Sequence, residues 1–184
     1  MLLLSSILVI VWAFGTGAAT QRPGQPEIRI PDLEQRIQER INKERKSRKL
    51  AALQFDERLS KIARGHSGDM ARRNFFNHVN PDGQDPTERG ERAGYACQKV
   101  YENYFTEGLA ENIFQGNLYG SVRTRGTVKS YDWNNAEKIA TESVTSWMNS
   151  PGHRRNILEP NYGKTGIGVF ISNDDKVYIT QLFC

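Results

Sequence analysis

The run Trp147-Met-Asn-Ser-Pro-Gly-His153-Arg-Arg-Asn-Ile-Leu158 constrains this chain more than any other stretch. An amphipathic helix, with Ile139, Val144, Trp147 and Met148 supplying its apolar surface, runs into Ser150, Pro151 and Gly152. Proline and glycine stop a helix and fix a bend, so His153 is expected on a rigid corner. A second histidine, His78, closes Asn74-Phe-Phe-Asn-His78 just before another turn, Asn80-Pro-Asp-Gly83. Between them lies Ala110-Glu111-Asn112-Ile113, a carboxylate among small and apolar residues. Two histidines and a glutamate on separate turns are expected to converge into one polar cleft.

The helices announce themselves by period and cap. Asp32 reads as an N-cap with Gln35 three residues on, ahead of Leu33, Ile37 and Ile41 at helical spacing. A second helix follows Asp56, with Leu59, Ile62, Ala63, His66 and Met70 on one face. A histidine in such a stripe is more often a hydrogen-bonded core residue than a ligand, so His66 ranks below His78 and His153. Asp85-Pro-Thr-Glu88 offers an N-cap, a proline at N1 and a capping-box acid for a short helix through Ala93. On that helix Arg89 and Arg92 either pair with acids at the cleft edge or face solvent.

Residues 94–131 look less regular, and the tract 116–132, lacking a clear period, reads as a mobile loop. The C-terminus reads as a hairpin: 165–172, a turn at Asn173-Asp-Asp175, and a return strand 176–183. Gly166 and Gly168 inside its first strand predict that something packs closely there. Helices first, a hairpin last and no βαβ alternation point to an α+β fold.

Residues 1–14 are almost wholly apolar and Gly15-Thr-Gly-Ala-Ala19 offers small residues for cleavage. This layout predicts a signal peptide, or failing cleavage a membrane anchor, over 1–19. Residues 20–31, rich in proline, read as a linker to a single domain over 32–184. The formal net charge is +4, with bases interspersed among acids. That pattern describes solvated helix faces, and no basic block interleaved with aromatics suggests nucleic-acid binding. The only two cysteines, Cys97 and Cys184, are expected to bond in an exported chain, the alternative being two buried thiols. A bond would close 87 residues (184 − 97) and stabilise by roughly 4 kcal/mol in the chain-entropy treatment.

The stretches FFNHVNPDG, AENI, SWMNSPGHRRNIL, GIGVF and YITQLF resemble, in this order, the microbial SCP-like branch of the CAP superfamily. That superfamily comprises cysteine-rich secretory proteins, antigen five and pathogenesis-related proteins. The resemblance covers roughly residues 33–184. It implies a three-layer α-β-α sandwich, an extracellular setting, and a central cleft with two histidines and usually two glutamates; an uncleaved 1–19 would instead hold the chain at the outer face of the membrane. His78, Glu111 and His153 match three of those four positions. The second glutamate normally stands three residues after the helix tryptophan, where this chain has Ser150. Glu142 does not replace it, because five residues before Trp147 is a rotation of about 500°.

Two neutral imidazoles can take Zn²⁺ with Glu111 as third ligand or as orienter of a ring, although no His-Glu-x-x-His helix is present. No Gly-x-Ser-x-Gly elbow occurs, and neither cysteine has a histidine close in sequence. The expectation is a monomeric, secreted binding module for a lipid, a glycan or a surface partner, with no cofactor required. The alternative is a metal-assisted hydrolase acting on peptide or cell-envelope material through activated water.

Overall fold

Gly166 and Gly168 set the geometry of the centre. The computed structural model describes residues 22–184; the expected signal peptide or anchor over 1–19 lies outside the described residues. A Cβ on Gly166 would stand 2.3 Å from the backbone at Leu59 and Ser60, and one on Gly168 would stand 2.0 Å from the Arg64 nitrogen. A helix backbone therefore lies directly on this strand, and only hydrogen side chains leave room for it.

In chain order the elements are α1 (Ile30–Ser47), β1 (Gln54–Phe55), α2 (Glu57–Arg73), α3 (Pro86–Arg92), β2 (Gln98–Val100) and β3 (Phe105–Glu107). Then follow β4 (Ala110–Asn117), β5 (Tyr119–Arg125), β6 (Val128–Trp133), α4 (Ala136–Asn149), α5 (Pro151–Leu158), β7 (Lys164–Ile171) and β8 (Lys176–Phe183). The central sheet has the order β1-β7-β8-β4, antiparallel except for the short parallel pairing of β1 with β7. The chain is an α+β fold.

Alternation along β7 and β8 divides the sheet between two helical layers. Ile167, Val169, Val177, Ile179 and Phe183 join Leu33, Ile37 and Ile41 of α1, Ile139, Val144 and Trp147 of α4, and Ile157 of α5 in the main core. The opposite face meets α2, where Leu182 packs with Leu59 and Ala63, and Tyr178 with Met70. Ser67 Oγ donates to Gly168 O at 2.8 Å, using the close approach to fix the helix register. The Cys97–Cys184 disulfide ties the segment after α3 to the end of β8, the first of the two alternatives left by the sequence.

Most caps lie where the sequence puts them. Asp56 accepts from Arg58 N and Leu59 N, and Asp85 and Glu88 form the reciprocal capping box; the cap of α4, Asn135, is found in the structure. Three expectations need correction. Helix α1 starts earlier, at Ile30 after Arg29, so Asp32 lies within the first turn and favours its dipole instead of capping it. The tract 116–132 is not an irregular loop; most of it forms the two-stranded β5–β6 sheet. Both faces of that hairpin are largely exposed, which removes the hydrophobic alternation by which a strand is recognised. His153 does not sit in a turn: Pro151 occupies the first turn of α5, where proline is tolerated, and His153 follows inside the helix.

Candidate functional site

Register places Glu111. On β4 it pairs with Leu182, so its side chain points to the α2 face of the sheet, while Asn112, paired with Gln181, points to the α5 side. Glu111 thus lies in a strand and not on a turn, and only 1% of its side chain is exposed. Three cationic or imidazole groups surround it. Arg89 Nη2 donates to Oε2 at 2.5 Å, and His78 Nδ1 lies 2.8 Å from Oε1. His66 Nε2 on α2 is 3.8 Å from the same Oε1.

Each partner is itself held. Arg89 Nη1 donates to the carbonyls of His78 (2.7 Å) and Gln84 (2.8 Å), so one guanidinium fixes the loop carrying His78 and neutralises the buried carboxylate. Asn80 builds that loop: its Oδ1 accepts from Asp82 N and Gln84 N. On the other side of the sheet, Asn112 Nδ2 donates to His153 O at 3.2 Å, and Asn156 Nδ2 donates to Glu111 O and Asn112 Oδ1. Buried Arg45 donates to the carbonyls of Ile157 and Glu159 at 2.8 Å each, locking the end of α5 to α1.

The result is a continuous row, His66–Glu111–His78–His153, running from α2 across β4 to α5. The rings of His78 and His153 face each other, with centroids 6.3 Å apart and planes inclined at 57°. His78 opens the row to solvent, with 46% of its side chain exposed. Beside an ion-paired carboxylate its Nδ1 is the donor, which leaves Nε2 as the ring nitrogen turned away from Glu111. Burial lowers the pKa of His153, and the charge of His78 lowers it further, so a neutral imidazole is favoured there.

His66 is buried, as its stripe position predicts, and bonds the Asn77 carbonyl at 3.0 Å. Its stripe position sets it apart from the cleft in sequence, yet it forms the row's inner end. Burial lowers its pKa, opposed by the charge of Glu111. Arg89 takes the first of its two readings, pairing with Glu111, whereas Arg92 is exposed. Asn156 is absent from the sequence-predicted set; its position three residues after His153, on the same helix face, is the available signal.

The donor set fits a metal only in a limited way. Two facing imidazoles, one with its far nitrogen on a carboxylate, repeat the way metal-bound histidines are commonly oriented. Both oxygens of Glu111 are already engaged, by His78 and Arg89, and Ser150, at the N-cap position of α5, supplies no carboxylate. Among the described residues no group of three or more His, Cys, Asp or Glu side chains is placed to hold a metal ion. The residues suit a two-imidazole position completed by water and do not build a three-residue centre.

The sequence profile of the Cysteine-rich secretory protein (CAP) family matches residues 38–183. The chain belongs to the CAP family. It is similar to the uncharacterized protein YkwD of Bacillus subtilis (strain 168), with 36% identity over 153 residues, 83% of this chain and 47% of that one. This CAP protein therefore spans less than half the length of that relative. Among solved structures it is similar to an extracellular SCP-domain protein from Bacillus anthracis (TM-score 0.58, 24% identity), covering 84% of this chain and 41% of the other. It is also similar to an outer surface protein of Borrelia burgdorferi (TM-score 0.57, 18% identity), covering 83% of this chain and 91% of the other. Those two likenesses concern the fold.

Proposed function

We propose that this CAP protein acts outside the cytoplasm as a binding module, holding an amphipathic ligand of lipid or glycan chemistry at the His78–His153 shelf. The observation that carries this reading is the complete engagement of Glu111. A carboxylate that is 1% exposed and salt-bridged to Arg89 organises the shelf and has no free oxygen with which to take a proton from substrate water. No serine, threonine or cysteine completes a nucleophile–base pair with either histidine among the described residues: Ser150, at the N-cap position of α5, has no side-chain hydrogen bond to either ring, and both cysteines are in the disulfide.

What the shelf does offer is recognition. Exposed Phe76 and Val79 flank His78 in the chain, and two imidazoles supply directional hydrogen bonds beside them. A bound Zn²⁺, held by His78 and His153, would add Lewis-acid polarisation of a ligand oxygen. The extracellular setting draws on the disulfide, the apolar start of the chain and the relatives described as extracellular or outer-surface proteins.

The test is capture. The protein, His78→Ala and Phe76→Ala would be presented to arrays of lipids and of envelope glycans, with melting temperatures measured in parallel. The expected outcome is retention of one ligand class by wild type and loss in both variants at unchanged melting temperature. Equal retention by all three would move the ligand away from this shelf.

A further inference from the structure

We infer that the β5–β6 hairpin is an anionic-bilayer-binding arm. Three cations occupy this small sheet: Arg123, Arg125 and Lys129. None of the three has an ion pair or a side-chain hydrogen-bond partner among the described residues, although most other arginines of the domain are paired. All three are exposed, and so are Val122 and Val128, at 39% and 68%. Val128 stands opposite Arg125 beside the Gly126 turn, on the face that also carries Arg123. Lys129 lies on the other face with Val122, so each face of the arm offers a valine with at least one cation. That combination suits a phospholipid surface, where valine meets the acyl boundary and the cations meet phosphates.

The second observation is where the chain enters the domain. Trp133 Nε1 at the hairpin's root donates to Pro23 O at 3.2 Å. Arg22 lies over the Tyr131 ring, 5.3 Å from its centroid, and forms an ion pair with Asp175. Arg22 and Pro23 therefore lie against the base of the basic arm, and the sequence upstream of them includes the apolar stretch 1–14. A hydrophobic segment and a basic patch are the two signals that together give stable membrane attachment.

The arm is also separated from the shelf. β4 carries Glu111 near one end and reaches the hairpin after Asn117, six residues or about 20 Å along the strand. Docking through the arm leaves His78 free to meet a ligand.

The competing explanation is that the cations only keep an exposed sheet edge from pairing with other chains. Hydrogen exchange on the full chain separates the two. Amides of residues 121–130 would be followed with vesicles of pure phosphatidylcholine, with vesicles containing phosphatidylglycerol, and with soluble polyphosphate. The apolar N-terminal sequence has the same access to both vesicles, so a difference between them reports the hairpin.

Slower exchange is expected only with phosphatidylglycerol. It should be lost at high salt and in an Arg123→Ser/Arg125→Ser/Lys129→Ser variant. At roughly fivefold per cation, the hairpin's association should fall on the order of 100-fold in that variant. Unchanged exchange in α4 and β8 would show that the variant is folded. Equal exchange in both vesicle types would overturn the proposal, and protection by polyphosphate matching that of the anionic vesicles would overturn the bilayer assignment.

Discussion

Replacing Glu111 with alanine should be among the most damaging single changes outside the hydrophobic core. The carboxylate is 1% exposed and its chief partner, Arg89, is 9% exposed. Removing one member of such a pair leaves the other charge buried without a counter-charge, which costs about 3–5 kcal/mol. Arg89 would keep the carbonyls of His78 and Gln84, which offsets part of the loss, but its Nε already has no partner. For a domain of this size each kcal/mol moves the melting temperature by roughly 2–4 °C, so a drop of roughly 6–20 °C is expected. Arg89→Met should cost a similar amount, because it strands the carboxylate. The double variant Glu111→Leu/Arg89→Met strands neither, so its cost should fall below the sum of the single changes by about 2 kcal/mol or more. Urea unfolding with the disulfide intact, followed by fluorescence including that of buried Trp147, gives all the values. Single-variant costs below about 1 kcal/mol that add in the double would show that the pair is solvated and that Glu111 does not organise the shelf.

Gly168→Ala should destabilise by about 1–3 kcal/mol or prevent folding, since its Cβ would fall 2.0 Å from the α2 backbone; a wild-type denaturation midpoint would contradict the close packing. Burial depresses the pKa of both His66 and His153, so the unfolded chain takes up protons first as pH falls below the ordinary value of 6.5. Stability should therefore decline from about pH 7.5 to about pH 5, and His66→Gln should flatten the decline; identical slopes would refute the assignment. Reducing the Cys97–Cys184 bond should remove roughly 4 kcal/mol, and alkylation without reductant should add no mass to the native protein; two labelled thiols would be inconsistent with the bond.

What can be read from the sequence follows the physics of each signal. Helices α2 and α3 are legible because their caps are local: Asp56 and Asp85 each bond amides within three residues, while α4 is legible by its apolar positions Ile139, Val144 and Trp147. The close approach at Gly166 and Gly168 is legible because few other causes place two glycines inside a buried strand. The β5–β6 sheet is hidden for the opposite reason, since strands exposed on both faces carry no alternation to detect. At the site, the residue types and the gathering of His78, Glu111 and His153 are visible in the motifs. Their connections are not. Glu111 reaches His66 because β4 pairs with β8 in a register that turns position 111 toward α2, and pairing between segments distant in sequence has no local signature. Ser150–Pro151–Gly152 reads as a corner because proline and glycine usually end helices, yet Pro151 begins one whose buried Ile157 and Asn156 contacts hold it.

The proposed binding role, with a structural Glu111 and no turnover at the histidine shelf, has one direct kinetic consequence. Steady-state assays on peptide, ester and envelope-polysaccharide substrates, with and without Zn²⁺, expose it, with a His78→Ala/Glu111→Gln variant alongside. Background rates are expected in both proteins under every condition. Multiple turnovers by wild type that vanish in a folded variant would contradict a pure binding role and identify a hydrolase.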